Sequence, residues 1–131
     1  GGNSNWRGPV WMPINFLIIQ SIRSYGDFYG DSLQIEYPTG SGNKINLTQV
    51  AFELTKRVIS LFERNEKGER RFNGEYSWFY NQPGNEHLVL FYEYFNGDTG
   101  KGIGASHQTG WTALVAELIS EYGDREVKLV E

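Results

Sequence analysis

Residues 46–61 read Asn46-Leu47-Thr48-Gln49-Val50-Ala51-Phe52-Glu53-Leu54-Thr55-Lys56-Arg57-Val58-Ile59-Ser60-Leu61. Leu47, Val50, Ala51, Leu54, Val58 and Leu61 recur at spacings of three and four, which lays one apolar stripe along an amphipathic helix. Asn46 is a good N-cap, and Gln49 three residues on completes a capping-box pattern. Asn46-Leu47-Thr48 also matches an N-glycosylation sequon, but the cap accounts for the asparagine better. The pattern predicts a helix from Leu47 to about Asn65, with the charge run Arg64–Arg71 as its solvated end and turn.

Two flanking segments carry the same period. Toward the N-terminus, Ile14, Leu17, Ile18 and Ile22 share a face, so a helix is expected from Pro13 to about Tyr25. Pro13 suits a first helical turn, and Gly26-Asp27 should stop it. Toward the C-terminus, Trp111, Leu114, Val115, Leu118 and Ile119 predict a helix from Thr109 to Tyr122, ended by Gly123. A short strand is expected at Leu33–Tyr37, followed by the turn-rich Pro38-Thr39-Gly40-Ser41-Gly42. The connection 72–108 is long and too aromatic for disorder, which points to function. No repeat of fixed period is visible. The fold class expected is all-α. Three striped helices joined by such long loops do not close a core by themselves, so the chain reads as part of a larger helical assembly.

At 131 residues the chain is one domain or a piece of one. A net charge of −4 with scattered basic residues argues against nucleic acid as a partner. Apolar runs such as Phe16-Leu17-Ile18-Ile19 are far too short to span a bilayer. No charged-then-apolar leader precedes them, which tilts the expected localisation toward the cytoplasm, while Gly1 in place of Met suggests an excerpt or a processed product. There is no cysteine, so thiolate chemistry is excluded. Aromatics make up 15% of the residues, and Trp and Tyr carry polar handles that want partners. A generous aromatic core and a surface that stacks on sugars both fit that composition.

Several motifs invite chemistry. Phe91-Tyr92-Glu93-Tyr94-Phe95 sets one carboxylate among four aromatics: a catalytic group in an aromatic-walled site, or a glutamate at a rim facing water. Asp98-Thr99-Gly100 spells the aspartic-protease triplet, but Asn96-Gly97 in front of it is turn chemistry rather than the apolar strand that triplet needs. The run Gly97–Gly104 lacks the Gly-Lys-Ser/Thr of a phosphate loop. His87 and His107 stand apart with no metal-ligand spacing, so neither a metal nor another cofactor is expected. His107, just before a helix start, suits either capping or ligand contact; Ser106 beside it is no nucleophile pair. Arg7, between Trp6 and Gly8, offers a planar fork for a carboxylate or paired hydroxyls, or else for a structural ion pair.

Three blocks taken together resemble glycoside hydrolase family 63. They are Trp6-Arg7-Gly8-Pro9-Val10-Trp11 with Asn15, Phe91-Tyr92-Glu93-Tyr94-Phe95 with its Gly-rich turn, and Gly104-Ala105-Ser106-His107-Gln108-Thr109-Gly110-Trp111-Thr112. Tyr37-Pro38-Thr39-Gly40-Ser41-Gly42 is similar to that group too. The likeness runs from Asn3 to about Glu121 and is nearest to the family's large microbial members. It implies that residues 1–131 are the C-terminal part of a catalytic (α/α)6 toroid. Their partners would be a carbohydrate substrate and the remaining, N-terminal part of the same protein. It also implies an inverting glycosidase that cleaves an α-glucosidic bond, with an acid and a base about 6.5–9.5 Å apart around a water. By the resemblance Glu93 is the general base, and the general acid is an Asp outside these residues, which leaves the fragment alone inactive. Trp6, Arg7, Trp11, Asn15, Trp111 and His107 would contact the sugar, with core packing an equal alternative for Trp111. A hydrolase of a small glycoside such as a glyceryl glycoside, or a non-catalytic carbohydrate-binding fragment, are the alternatives.

Overall fold

The computed structural model describes the backbone of residues 6–130 and the side chains of residues 6–123. It is helix-rich, with two small two-stranded antiparallel ribbons. Helix α1 spans Met12–Tyr29, strand β1 Gln34–Glu36, strand β2 Lys44–Asn46 and helix α2 Leu47–Ile59. A 3₁₀ turn at Arg71–Tyr76 leads into the short helix α3, Ser77–Tyr80. Strands β3 (Tyr94–Phe95) and β4 (Gly102–Ile103) follow, then helices α4 (Thr109–Thr112) and α5 (Leu114–Val130).

Helix α2 begins where the sequence sets it. The Gln49 N–H donates to the Asn46 side chain at 2.9 Å, and the Asn46 N–H donates back to the Gln49 side chain at 3.1 Å. Val50, Ala51, Val58 and Leu61 are buried, while Leu47 and Leu54 are half-buried. The helix stops at Ile59, short of the expected Asn65, because the chain beyond it folds into its own knot of hydrogen bonds. Asn65 Oδ1 accepts from the Lys67 and Glu69 N–H groups, Arg64 reaches the Gly68 and Glu86 carbonyls, and Arg70 Nε binds the Phe62 carbonyl at 3.0 Å. The run of charges is therefore stitched to the backbone, not merely solvated.

Helix α1 buries Met12, Ile19 and Gly26, one every seven residues. Gly26 does not stop it. A Cβ there would lie 2.4 Å from Thr48 Oγ1 and 2.6 Å from Thr48 N, so this glycine is the point where α1 crosses the first turn of α2. The helix runs on to Tyr29 and ends at Gly30, which has φ 51°. The expected third helix is broken in two at Ala113, where the fully buried Thr112 turns its hydroxyl to the Tyr92 carbonyl. The second piece, α5, continues past Gly123.

Helices α1, α2 and α5 pack together around Met12, Ile19, Ala51, Val58, Ile59, Val115 and Leu118, and Phe72 and Phe95 join the same buried cluster. Arg23 and Gln20 of α1 both engage Glu121 of α5. The far side of α1 carries a second apolar face, Ile14, Leu17, Ile18, Tyr25 and Phe28, which stays exposed. The expected strand is shorter than read: β1 pairs with β2 in the register Gln34↔Asn46, Ile35↔Ile45, Glu36↔Lys44. The long connection 72–108, which showed no regular pattern, supplies α3 and all of the β3–β4 ribbon.

Candidate active site

Strand β3 is the backbone of the site. It pairs with β4 as Tyr94↔Ile103 and Phe95↔Gly102. On its other edge Phe95 and Val10 exchange N–H···O bonds of 2.8 and 3.0 Å, which docks the Trp6–Trp11 segment onto the strand. Gly97 makes the docking possible, since a Cβ there would fall 2.1 Å from the Gly8 carbonyl oxygen. Between β3 and β4 the turn is tied by Asn96 Oδ1, which accepts from the Asp98 and Thr99 N–H groups at 2.9 Å. Asp98-Thr99-Gly100 is thus a hairpin turn, as its composition implied.

The chain before β3 is held by the segment leading into α4. Glu93 N–H donates to the Ala105 carbonyl at 2.9 Å and Gln108 N–H to the Phe91 carbonyl at 2.6 Å. The three blocks picked out in the sequence therefore meet on one short ribbon.

Aromatic rings line that meeting place. Trp11 is stacked on both Trp6 and Tyr94, with ring centroids 4.4 and 4.5 Å apart, and Trp111 meets it edge-on at 6.4 Å. Trp6 is 61% exposed and Trp11 only 6%, so the stack runs from core to surface. Arg7 is exposed at the same loop, and no ion pair holds it among the described residues. Glu93 is half-buried; its Oε2 accepts from the Ala105 N–H at 3.0 Å. Trp111 is half-buried, and its Nε1 has no hydrogen-bond partner among the described residues.

The two remaining sequence candidates, Asn15 and His107, each bond to the backbone of a block that carries the site. Asn15 donates from Nδ2 to the Trp11 carbonyl at 2.8 Å. It borders a cleft of about 540 Å³ that it shares with Arg57, Arg71 and Asp98; Glu93, Trp11 and Trp111 do not line that cleft. His107 accepts the Phe91 N–H on Nδ1 at 3.2 Å and stacks on the Phe91 ring at 5.5 Å. It is not the α4 cap, a position held by Gln108. Tyr94 was not singled out in the sequence; its pairing with Trp11 depends on the Val10–Phe95 bridge, which no local pattern announces.

Tyr92 stands next to Glu93 in the chain and is half-buried. Burial, then a hydrogen bond with Tyr80, pushes its phenol up to about 12. Asp31 binds Asn46 Nδ2 at the far end of the helices. Among the described residues no group of three or more His, Asp or Glu is set to hold a metal ion.

Residues 3–112 match the family described as the mannosylglycerate hydrolase MGH1-like glycoside hydrolase domain. The chain is 50% identical over 131 residues to an uncharacterized protein of Saccharomyces cerevisiae, covering 98% of this chain and 12% of that protein. It is 30% identical over 122 residues to a probable mannosyl-oligosaccharide glucosidase of Schizosaccharomyces pombe, with 92% and 11% covered. It is 27% identical over 118 residues to the mannosyl-oligosaccharide glucosidase of Saccharomyces cerevisiae, with 89% and 11% covered. No solved structure matches the chain. The chain thus spans 11–12% of the length of these relatives. With the family matched over most of its length and three of its blocks assembled at one site, this chain belongs to the MGH1-like glycoside hydrolases of family 63.

Proposed function

We propose that this chain carries the general base and part of the sugar pocket of an inverting α-glucosidase, with Glu93 as the base. The observation that carries the reading is the half-buried Glu93 carboxylate, held by the Ala105 N–H on the ribbon that also gathers Trp6, Trp11, Tyr94 and Trp111. A base of this kind must be fixed, partly shielded and open to one water. The aromatic stack offers flat apolar faces to a sugar ring, and the exposed Arg7 offers donors to its hydroxyls. Asn15 and His107 serve by bracing Trp11 and Phe91.

In this mechanism Glu93 takes a proton from a water lying on the face of the sugar opposite the leaving group. The water oxygen bonds to the anomeric carbon as the glycosidic C–O bond breaks, and an acid protonates the departing oxygen. That acid is an aspartate beyond these 131 residues, carried by the earlier helices of an (α/α)6 toroid. The exposed second face of α1, from Ile14 to Phe28, supports such neighbours. A small glycoside as substrate is the second reading, favoured by the description of the matched family, which names a mannosylglycerate hydrolase.

The test is Glu93→Gln in the full-length gene product, assayed on a panel of α-glucosides and on mannosylglycerate. Loss of the base is expected to lower turnover by on the order of 10²–10⁴. Turnover equal to the unmodified enzyme rules out the assignment.

A further inference from the structure

The register of the ribbon changes one residue before the carboxylate. Tyr94 faces Ile103 and Phe95 faces Gly102, so a regular ladder would set Glu93 against Gly104. Instead Glu93 N–H donates to Ala105, which makes Gly104 an extra residue on its strand. Gly104 has φ +79°, the conformation of a glycine β-bulge. The return bond is altered too. Ala105 N–H does not go to the Glu93 backbone carbonyl but to the Glu93 carboxylate, at Oε2. A Cβ on Gly104 would sit 2.5 Å from that oxygen and 3.0 Å from Glu93 Cβ, so the arrangement admits only glycine. Two residues earlier a side chain again replaces a backbone carbonyl: the Phe91 N–H is accepted by His107 Nδ1.

We infer that Gly104 and His107 are positioning residues for Glu93: the Gly104 bulge turns the carboxylate so that Oε2 is held by the Ala105 N–H and Oε1 receives the proton from water, while His107 anchors the strand two residues before it. The inference rests on the reading of Glu93 as the base. In the reacting complex a water O–H bond breaks, its proton passes to Oε1, and its oxygen bonds to the anomeric carbon. The aglycone oxygen leaves with the electron pair of the broken bond and takes the proton of the acid. Neither Gly104 nor His107 touches the reacting atoms. Each acts by fixing where Oε1 lies, and an error of about 1 Å there can cost on the order of 100-fold.

The experiment compares Gly104→Ala, His107→Ala, His107→Asn and Glu93→Gln in the full-length protein, reading kcat, KM and thermal midpoint. Gly104→Ala is expected to lower kcat about 10- to 100-fold; its Cβ would also meet the Tyr94 ring at 2.8 Å, so the separation of kcat from KM is read from the His107 pair. Asn has an oxygen where His107 has Nδ1, so His107→Asn should keep a kcat several-fold above His107→Ala at equal KM. Wild-type kcat in Gly104→Ala with Glu93→Gln inactive overturns the inference and leaves the base intact. An active Glu93→Gln removes both. Should Gly104→Ala fail to fold, the His107 pair decides: equal kcat values, or a change in KM alone, overturn the positioning role.

Discussion

The two ribbons of this protein are both short and have opposite characters. The β1–β2 ribbon is closed by its own turn, with Ser41 N–H on the Pro38 carbonyl and Tyr37 N–H on the Asn43 carbonyl. All three residues of β1 are exposed. The β3–β4 ribbon is shorter still, but its Phe95 is fully buried, and it is tied to distant segments, along its other edge at Val10 and by the loop before α4. One ribbon is local and faces outward; the other is a junction. The difference teaches where chemistry can be built. A catalytic group needs supporting contacts that fix its side chain, and at Glu93 several parts of the chain meet to supply them.

Substitutions should separate the ribbons by size of effect. Phe95→Ala removes a fully buried aromatic from the junction and should destabilise by about 3–5 kcal/mol in denaturant unfolding, whereas Ile35→Ala on the outer ribbon should stay within about 0.5 kcal/mol. Comparable losses at the two positions would erase the distinction. Asn46→Ala, at the joint of β2 and α2, deletes the capping box and should cost about 1 kcal/mol, read as a shift in the unfolding midpoint.

The smallest effect lies in the outer turn. N–H groups of Gly42 and Gly40 bind the Glu36 carboxylate and hold it below the usual carboxylate range. Because the folded value is depressed, the contribution to stability is present above the unfolded value and is lost as pH falls through the folded one. An NMR titration should therefore move the Gly42 amide signal with a midpoint below that of an ordinary glutamate. A midpoint at or above the ordinary value would mean the turn does not hold the carboxylate.

What the sequence disclosed follows the same division. Local features were legible: the Asn46–Gln49 cap, the α2 stripe and the turns at 38–42 and 96–100 all rest on residues close in sequence. Tertiary causes were not. Gly26 reads as a stop but is spaced for Thr48, and the break at Ala113 accompanies a bond from Thr112 to Tyr92. The Arg64–Arg71 run reads as solvated, yet Arg64 and Arg70 bind carbonyls on other turns. At the site, the three blocks marked Glu93 and the tryptophans by resemblance. The Gly104 bulge escaped because a one-residue change of register leaves no periodic trace, and the Trp11–Tyr94 stack because the Val10–Phe95 bridge brings it together.

The central claim, that Glu93 is the base and not the acid, is tested most directly with α-glucosyl fluoride. Fluoride departs with little need of protonation, so this substrate bypasses an acid but still needs a base to activate water. The full-length enzyme should hydrolyse it, and Glu93→Gln should lose that activity by on the order of 10²–10⁴. A Glu93→Gln enzyme that cleaves the fluoride at the wild-type rate while failing on ordinary glucosides would make Glu93 the acid and contradict the account.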